Sequence, residues 1–211
     1  MRTIFLTTIA LTVFLLSGCK DKDPEPTGNG KLRLKMDVNV AGSPLEINKQ
    51  YTTPGGQKYD IELLKFYLSN ISIIKEDGSK ISVKDVVLAD LSQPLKEPYD
   101  KNAVGTIFTF DVPAASYKML EFGIGVPKEI NTSSNEYTNE HPLSIYRGTD
   151  WSWAGYRFIM IQGKAKNTED VANAFEYHIA GDAFYQTKQI DKKFTVSKDQ
   201  TEEIMLHLDI N

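Results

Sequence analysis

The chain has 211 residues, of which 28 are acidic and 24 basic, giving a formal net charge of -4. This balance provides no basic surface for nucleic acid, so we expect no nucleic-acid partner. Its length suits one folded domain, and its single cysteine, Cys19, excludes an internal disulfide.

The first predicted element is a hydrophobic N-terminal segment. The run from Ile4 to Leu16 is predominantly apolar but too short to span a bilayer, and two small residues then precede Cys19. This pattern resembles a bacterial lipoprotein signal peptide, residues 1–18, cleaved before a cysteine that carries lipid. It predicts a cell-envelope protein held by its lipid at the outer membrane, with a periplasmic or surface-exposed domain.

Residues 19–30 are predicted to form the lipidated cysteine and a flexible tether. The segment Lys20–Gly30 is charged and rich in proline, and it has no apolar residue that could pack against a core. We therefore expect the single folded domain to occupy residues 31–211.

The folded domain is predicted to be all-β. Apolar residues occupy every second position from Leu32 to Val40, the two-residue period of a half-buried strand. Asp77-Gly78 predicts a tight hairpin whose two central residues both have positive φ. Further strand-like runs cover residues 106–112, 117–126, 156–166, 175–180, 192–196 and 203–210. Short strands separated by turn residues predict a mostly antiparallel β-sandwich of two sheets.

One long irregular loop, from Pro127 to Asp150, interrupts this pattern. It carries His141 and leads into Trp151-Ser152-Trp153, which contains both tryptophans of the chain. A loop this long in a compact domain is commonly functional. We expect the imidazole and the two indoles to meet at the start of the strand that begins at Tyr156.

The residues alone leave three interpretations of this segment open. Histidines could hold a metal, because imidazole suits copper, zinc, iron and nickel, although no two histidines have a close ligand spacing. Trp151 and Trp153, with Tyr146 and Tyr156, could form an aromatic platform for a sugar or a peptide. The two indoles could also share a strand face and close one end of the sandwich as core residues.

The other two histidines lie on predicted strands. Phe175, Tyr177 and Ile179 share one strand face, so His178 points outward or into a groove if that face is core. His207 is predicted to face solvent. No serine has a glycine-elbow context, and scattered carboxylates leave a paired-carboxylate hydrolase open without indicating one. We expect a protein that is not an enzyme.

Several blocks in a fixed order along the mature chain resemble a known family. They are Gly42–Leu45, Tyr51, Gly55-Gly56, Leu63–Ile71, Phe122–Val126, Asn131, Pro142-Leu143, Trp151–Trp153, Gly155–Phe158 and Gly163. Together they are similar to the MbnP-like copper-binding domain and cover nearly the whole mature chain. The resemblance implies reversible copper binding for storage, delivery or sensing; the alternative from the residues is a metal-independent binding module for glycan or protein.

The resemblance also implies site residues and a partner. In some characterised relatives a di-haem peroxidase-like partner oxidises a tryptophan to kynurenine, which implies that Trp151 or Trp153 is the oxidisable residue here. His141 and His178 would be the imidazole ligands of copper, with Tyr156 a further aromatic residue lining the site.

Two segments depart from the family pattern. Relatives often have Gly-Met-aromatic before the first tryptophan, whereas this chain has Gly148-Thr149-Asp150. The first strand, a position for a histidine in copper-binding relatives, has Val38 and Asn39. We therefore expect copper binding that is weaker than in relatives, or absent.

Overall fold

A computed structural model describes residues 28–95, 104–132, 136–151, 153–167 and 169–210. The predicted signal peptide, Cys19 and the tether up to residue 27 lie outside the described residues. Within the described ranges, no helix is long and apolar enough to cross a membrane.

Strands dominate the described residues, in agreement with the predicted all-β class. The strands are β1 (Asn29–Val40), β2 (Ser43–Pro44), β3 (Tyr51–Thr52), β4 (Lys58–Lys75), β5 (Lys80–Asp90), β6 (Gly105–Pro113), β7 (Ala115–Ile124), β8 (Asp150–Trp151), β9 (Gly155–Lys166), β10 (Ala172–Ala180), β11 (Gln186–Val196) and β12 (Thr201–Asp209). Short 3₁₀ turns occur at Lys128–Ile130, Ile145–Arg147 and Asp182–Phe184. β1 begins at Asn29, two residues before the predicted start of the domain.

The strands form two sheets. In the smaller sheet β1 lies between β12 and β6, and β2 pairs with the end of β1. The larger sheet has the order β10-β9-β4-β7-β11, with β3 and β5 also paired to β4 and β8 paired to β9. Of the strand pairs in the described residues, β1 with β12 is parallel and the others are antiparallel. The predicted mostly antiparallel two-sheet sandwich is confirmed.

The main core lies between the two sheets. Every second residue of β1 from Leu32 to Val40 is buried, as the alternating sequence predicts, and these side chains pack in one cluster with Leu64 and Leu68 of β4. Burying one such aliphatic side chain stabilises the folded state by about 1.5–3 kcal/mol. A shift of β1 by one residue would expose the whole apolar row, so this burial fixes the register of the strand.

The hairpin between β4 and β5 is confirmed, but its predicted turn type is wrong. Of Asp77 and Gly78, only the glycine has a positive φ, at 91°. The Gly78 N–H donates to the Lys75 carbonyl at 3.0 Å, and the Lys75 N–H donates to the Ser79 carbonyl at 2.9 Å. The loop is therefore one residue longer than predicted and ends in a left-handed glycine, while the Asp77 carboxylate accepts the Ser79 N–H at 2.8 Å.

A second core lies on the opposite face of the larger sheet. Tyr67 of β4 alternates with Phe66 and Leu68, so its ring projects away from the main core. The other buried members of this second core are Val86, Val126, Leu143, Tyr156 and Phe158. Because Leu143 belongs to the irregular loop that starts at Pro127, the loop covers the outer face of the larger sheet and places the candidate site there.

Candidate functional site

Two buried tyrosine hydroxyls hold the long loop against the larger sheet. The Tyr67 hydroxyl of β4 donates to the Pro142 carbonyl at 2.9 Å and lies 2.5 Å from Thr149 Oγ1. The Tyr156 hydroxyl of β9 donates to the Leu143 carbonyl at 2.7 Å. Burial raises the pKa of Tyr67, so its hydroxyl stays protonated and bonded to the loop.

The two tryptophans stack at the hairpin between β8 and β9. Their ring centroids are 5.1 Å apart and their planes differ by 15°. Trp151 is half-buried, whereas Trp153 is 79% exposed. The interpretation of both indoles as core residues is therefore wrong for Trp153, because the hairpin turn carries its ring away from the sandwich into solvent.

Arg157 supports the inner tryptophan. Its guanidinium carbon lies 5.4 Å from the centre of the Trp151 ring, within the range of a cation–π contact. The same guanidinium donates to the carbonyls of Gly148 and Thr149. Arg157 thereby joins the end of the loop to β9 and fixes one side of the Trp151 ring.

His178 lies on β10 beside this tryptophan. Its imidazole meets the Trp151 indole with 5.6 Å between ring centroids and 67° between ring planes, an edge-to-face arrangement. The Gln162 amide nitrogen lies 3.1 Å from His178 Nε2, within hydrogen-bonding distance. A carboxylate oxygen of Glu176 lies 3.9 Å from the same nitrogen.

Two charges and burial act on the protonation of His178. Burial is the largest effect on His178 and lowers its pKa. The nearby Arg157 cation lowers the pKa further, and the Glu176 carboxylate partly opposes both effects. The imidazole is therefore held in its neutral form at neutral pH, which is the form that donates an electron pair to a metal.

From the sequence, the face of β10 that carries Phe175, Tyr177 and Ile179 was considered as the core face. In the structure this face is the more exposed one. Tyr177 is 66% exposed and Ile179 is 40% exposed, while only 9% of the His178 side chain is exposed. The alternation along β10 was predicted correctly, but it does not reveal which face is covered. Because β10 is an edge strand, the tryptophan hairpin covers its His178 side and part of the other face remains open.

Trp151, Trp153 and His178 line one open cleft of about 330 Å³, which we call the tryptophan cleft. Its remaining lining residues are Ala154, Ile179, Ala180, Gly181 and Phe184. Phe184 is 61% exposed, so the cleft presents aromatic surface from both sides to an incoming ligand.

His141 lies elsewhere. Its ring stacks on Tyr137 with centroids 4.1 Å apart and planes within 6°, and its Nδ1 accepts the Leu143 N–H at 3.1 Å. It lines a different cavity, together with Asp85 and Val86 of β5. Burial lowers the pKa of His141, and the Lys84 cation adds to the effect.

The structure does not bring the two predicted copper ligands together. His178 is on β10 and His141 packs beside β5, and β9 and β4 lie between those strands. Three inter-strand spacings amount to about 14 Å, whereas a histidine nitrogen binds copper or zinc at about 2 Å. Across the part of the chain that the structure describes, no group of three or more His, Cys, Asp and Glu side chains could hold a metal ion.

Tyr156 and Thr149 also have roles that differ from those expected. Tyr156 was predicted to line the site, but it is fully buried in the second core and packs edge-on against Tyr67, with 5.8 Å between centroids. Thr149, at the departure from the family pattern, is 1% exposed and pairs with the Tyr67 hydroxyl. This position therefore serves loop attachment in this chain.

Four residues near the tryptophans were not predicted to be site residues: Asn131, Arg157, Gln162 and Phe184. Asn131 and Arg157 appeared only as part of the family pattern. Gln162 is diagonally opposite His178 across the β9–β10 ladder, where Met160 is the direct partner of His178. Knowledge of the register between β9 and β10 would have identified Gln162 as a neighbour of His178. No local sequence pattern gives that register.

Comparison with known proteins supports a specific family. The MbnP family model matches residues 29–211, which include every strand described above. The fold is similar to that of MbnP from Methylosinus trichosporium, with a TM-score of 0.53 and 13% sequence identity over 80% of this chain and 72% of that chain. No curated protein matches the chain in sequence. The extent of the family match shows that this chain belongs to the MbnP family.

Proposed function

We propose that this MbnP-family chain is a cell-envelope lipoprotein that binds copper reversibly, for storage, delivery or sensing, and does not act as an enzyme. The observation that carries the proposal is the His178 imidazole in contact with Trp151 in the tryptophan cleft. Family membership supplies the expectation of copper, and the cleft supplies one suitable nitrogen ligand.

The donor groups around His178 fit such an ion in part. His178 Nε2 lies 3.9 Å from a Glu176 carboxylate oxygen, the second donor group, while the Gln162 atom 3.1 Å away is an amide nitrogen and not a metal ligand. A set of imidazole nitrogen and oxygen donors suits Cu(II), which binds such sites more tightly than other divalent first-row ions. The two-imidazole set does not fit, because His141 lies in another cavity. We therefore propose a single-imidazole site with weaker affinity than a two-imidazole site.

Trp151 is the tryptophan whose oxidation would matter most for this site. Its ring contacts His178, whereas Trp153 stacks on the outer side and is largely exposed. A kynurenine at position 151 would bring an aromatic amine next to the imidazole. We propose a di-haem peroxidase-like partner as the oxidant, in line with the family resemblance.

The envelope location rests on the sequence that precedes the described residues. Leu16-Ser17-Gly18-Cys19 resembles a lipoprotein cleavage site, and lipid on Cys19 would hold the domain at the outer membrane. Intact mass of protein from its native host should show loss of residues 1–18 and an added lipid mass. An N-terminal peptide that still contains residues 1–18, or an unmodified Cys19, would contradict this part of the proposal.

Copper titration of the purified domain, in competition with a chelator, tests the metal site. We expect His178→Ala to weaken binding by at least about tenfold, the lower end of effects seen when metal-site support is removed. His141→Ala serves as the matched control and should leave the affinity unchanged. Equal losses in the two variants, or wild-type binding no tighter than that of His178→Ala, would contradict the single-imidazole site.

A second candidate function is favoured by one observation, the 79% exposure of Trp153 on a stacked indole pair that lines the same cleft as Phe184. Such a surface suits a metal-independent binding module for glycan or protein ligands. Ligand capture on a glycan or protein array in the presence of chelator should then be lost in Trp153→Ala. Capture that requires added copper, or that survives this substitution, would exclude the second function.

A further inference from the structure

The two walls of the tryptophan cleft are joined by one amide side chain. The first wall is the hairpin that carries Trp151 and Trp153, and the second wall is the segment from Ile179 to Phe184. Asn131, on the long loop, hydrogen-bonds to both. Its Oδ1 accepts the Tyr156 N–H at 2.9 Å, and its Nδ2 donates to Asp182 Oδ1 at 2.8 Å.

The first wall also fits closely around Asn131. Gly155 closes the hairpin with φ 78°, and a Cβ at this position would lie 2.4 Å from Asn131 Oδ1 and 2.6 Å from the Asn131 carbonyl oxygen. Such distances are far below van der Waals contact. The tryptophan hairpin therefore rests directly on Asn131, and glycine at position 155 permits this approach.

Most of the second wall, after Ala180, has no strand pairing with β9. The ladder ends where Ala180 pairs with Arg157, and the chain then turns at Gly181, which has φ 95°. Further along, the Tyr185 hydroxyl is held by the Asn70 amide at 3.2 Å. Between these points, the Asn131 bond to Asp182 holds the segment at the level of the cleft.

We propose that Asn131 is a positioning residue that fixes the width of the tryptophan cleft, and thereby controls which ligands fit between its walls and reach His178. The consequence for ligands rests on the proposed binding at this cleft. The positioning itself is a property of the free protein, so it can be measured without copper or any other ligand.

Two substitutions that change the charge at positions 131 and 182 test the hydrogen bond between Asn131 and Asp182. Asn131→Asp keeps an oxygen for the Tyr156 N–H but sets a second carboxylate against Asp182, and two carboxylates this close repel when both are ionised. Adding Asp182→Asn restores a donor and an acceptor, because the new amide at position 182 can donate to the new carboxylate at position 131. Asp182→Asn alone retains an acceptor for the Asn131 amide and is the matched control.

Tryptophan emission and acrylamide quenching give the readout, because both tryptophans of the chain line the cleft. At neutral pH we expect a red-shifted emission and stronger quenching for Asn131→Asp, and wild-type behaviour for Asp182→Asn and for the double variant. On lowering the pH to about 4, near the ordinary carboxyl pKa, the Asn131→Asp signal should return toward that of wild type measured at the same pH.

Two outcomes overturn the proposal. One is a wild-type signal from Asn131→Asp at neutral pH, and the other is a double variant that remains as perturbed as the single one. Circular dichroism of each variant distinguishes loss of the fold from opening of the cleft, and rescue by the second substitution is not expected of a merely misfolded chain. Because no ligand is present, failure here is separate from failure of copper binding.

Discussion

The imidazole of His178 lies edge-on to the indole of Trp151, with 5.6 Å between the ring centroids. This contact joins β10 to the tryptophan hairpin, and it is made by a histidine whose charged form is disfavoured by burial and by Arg157. Protonation of His178 therefore acts on the same contact that shapes the cleft.

The free energy of unfolding is expected to fall as the solution is acidified from about pH 7.5 to about pH 5, on either side of the ordinary histidine pKa. His178 and His141 both have lowered pKa values in the folded chain, so the unfolded chain takes up protons first. Their contribution is complete above the unfolded pKa and is lost as the pH falls toward the folded pKa. Urea unfolding at the two pH values should show a smaller loss in His178→Ala, and the smallest in the variant lacking both histidines. An equal loss in all variants would contradict the assignment.

Replacing the two tryptophans should affect stability unequally. Trp153→Ala removes an exposed ring and is expected to change the free energy of unfolding by no more than about 0.5 kcal/mol. Trp151→Ala removes contacts with His178 and Arg157 and should cost about 1–2 kcal/mol. Thermal and urea unfolding of the two variants would measure the difference. A loss of 3 kcal/mol or more for Trp153→Ala, the range for a buried aromatic ring of about this size, would restore the core interpretation.

Removing one buried hydroxyl should loosen the loop. Tyr67→Phe leaves the Pro142 carbonyl and the Thr149 hydroxyl without this partner, which is expected to cost about 1–3 kcal/mol. Tyr177→Phe is the matched control, since its ring is 66% exposed and the change should stay within about 0.5 kcal/mol. Urea unfolding compares the two, and equal effects would show that the Tyr67 hydroxyl does not stabilise the loop.

Two glycines with similar positive φ angles should respond differently to replacement by alanine. Gly148 has φ 62° with open space around a Cβ, so Gly148→Ala should cost about 1 kcal/mol from its left-handed backbone alone. Gly155 has φ 78° and a Cβ there would meet Asn131, so Gly155→Ala should cost more. Thermal unfolding measures both, and an equal loss would mean that Asn131 moves aside without strain.

Local sequence patterns predicted the strands that have one covered face. From Leu32 to Val40 one face of β1 packs against the core, so apolar residues occupy every second position. The strand can therefore be predicted from the sequence. The first half of β4 was not predicted as a strand, because a register shift between Ile61 and Leu63 breaks the alternation of apolar residues there. The two-residue strands β2, β3 and β8 are too short to leave a pattern.

The candidate site was only partly predictable, because it depends on which strands are neighbours. The residues alone predicted that His141 meets the tryptophans, because it is close to them in the chain, and the family resemblance added His178. Of the two histidines, His178 contacts Trp151. The loop instead carries His141 across the second core to Tyr137 and Val86, which no local pattern reveals.

The parallel pairing of β1 with β12 joins the first strand of the domain to the last, with Lys31 opposite Thr201 and Asn39 opposite Asp209. Contacts this remote along the chain form slowly, because a very long loop must close before they contribute. One edge of β1 therefore stays unpaired until β12 is in place. Closure of the smaller sheet depends on the strand that lies farthest along the chain from β1.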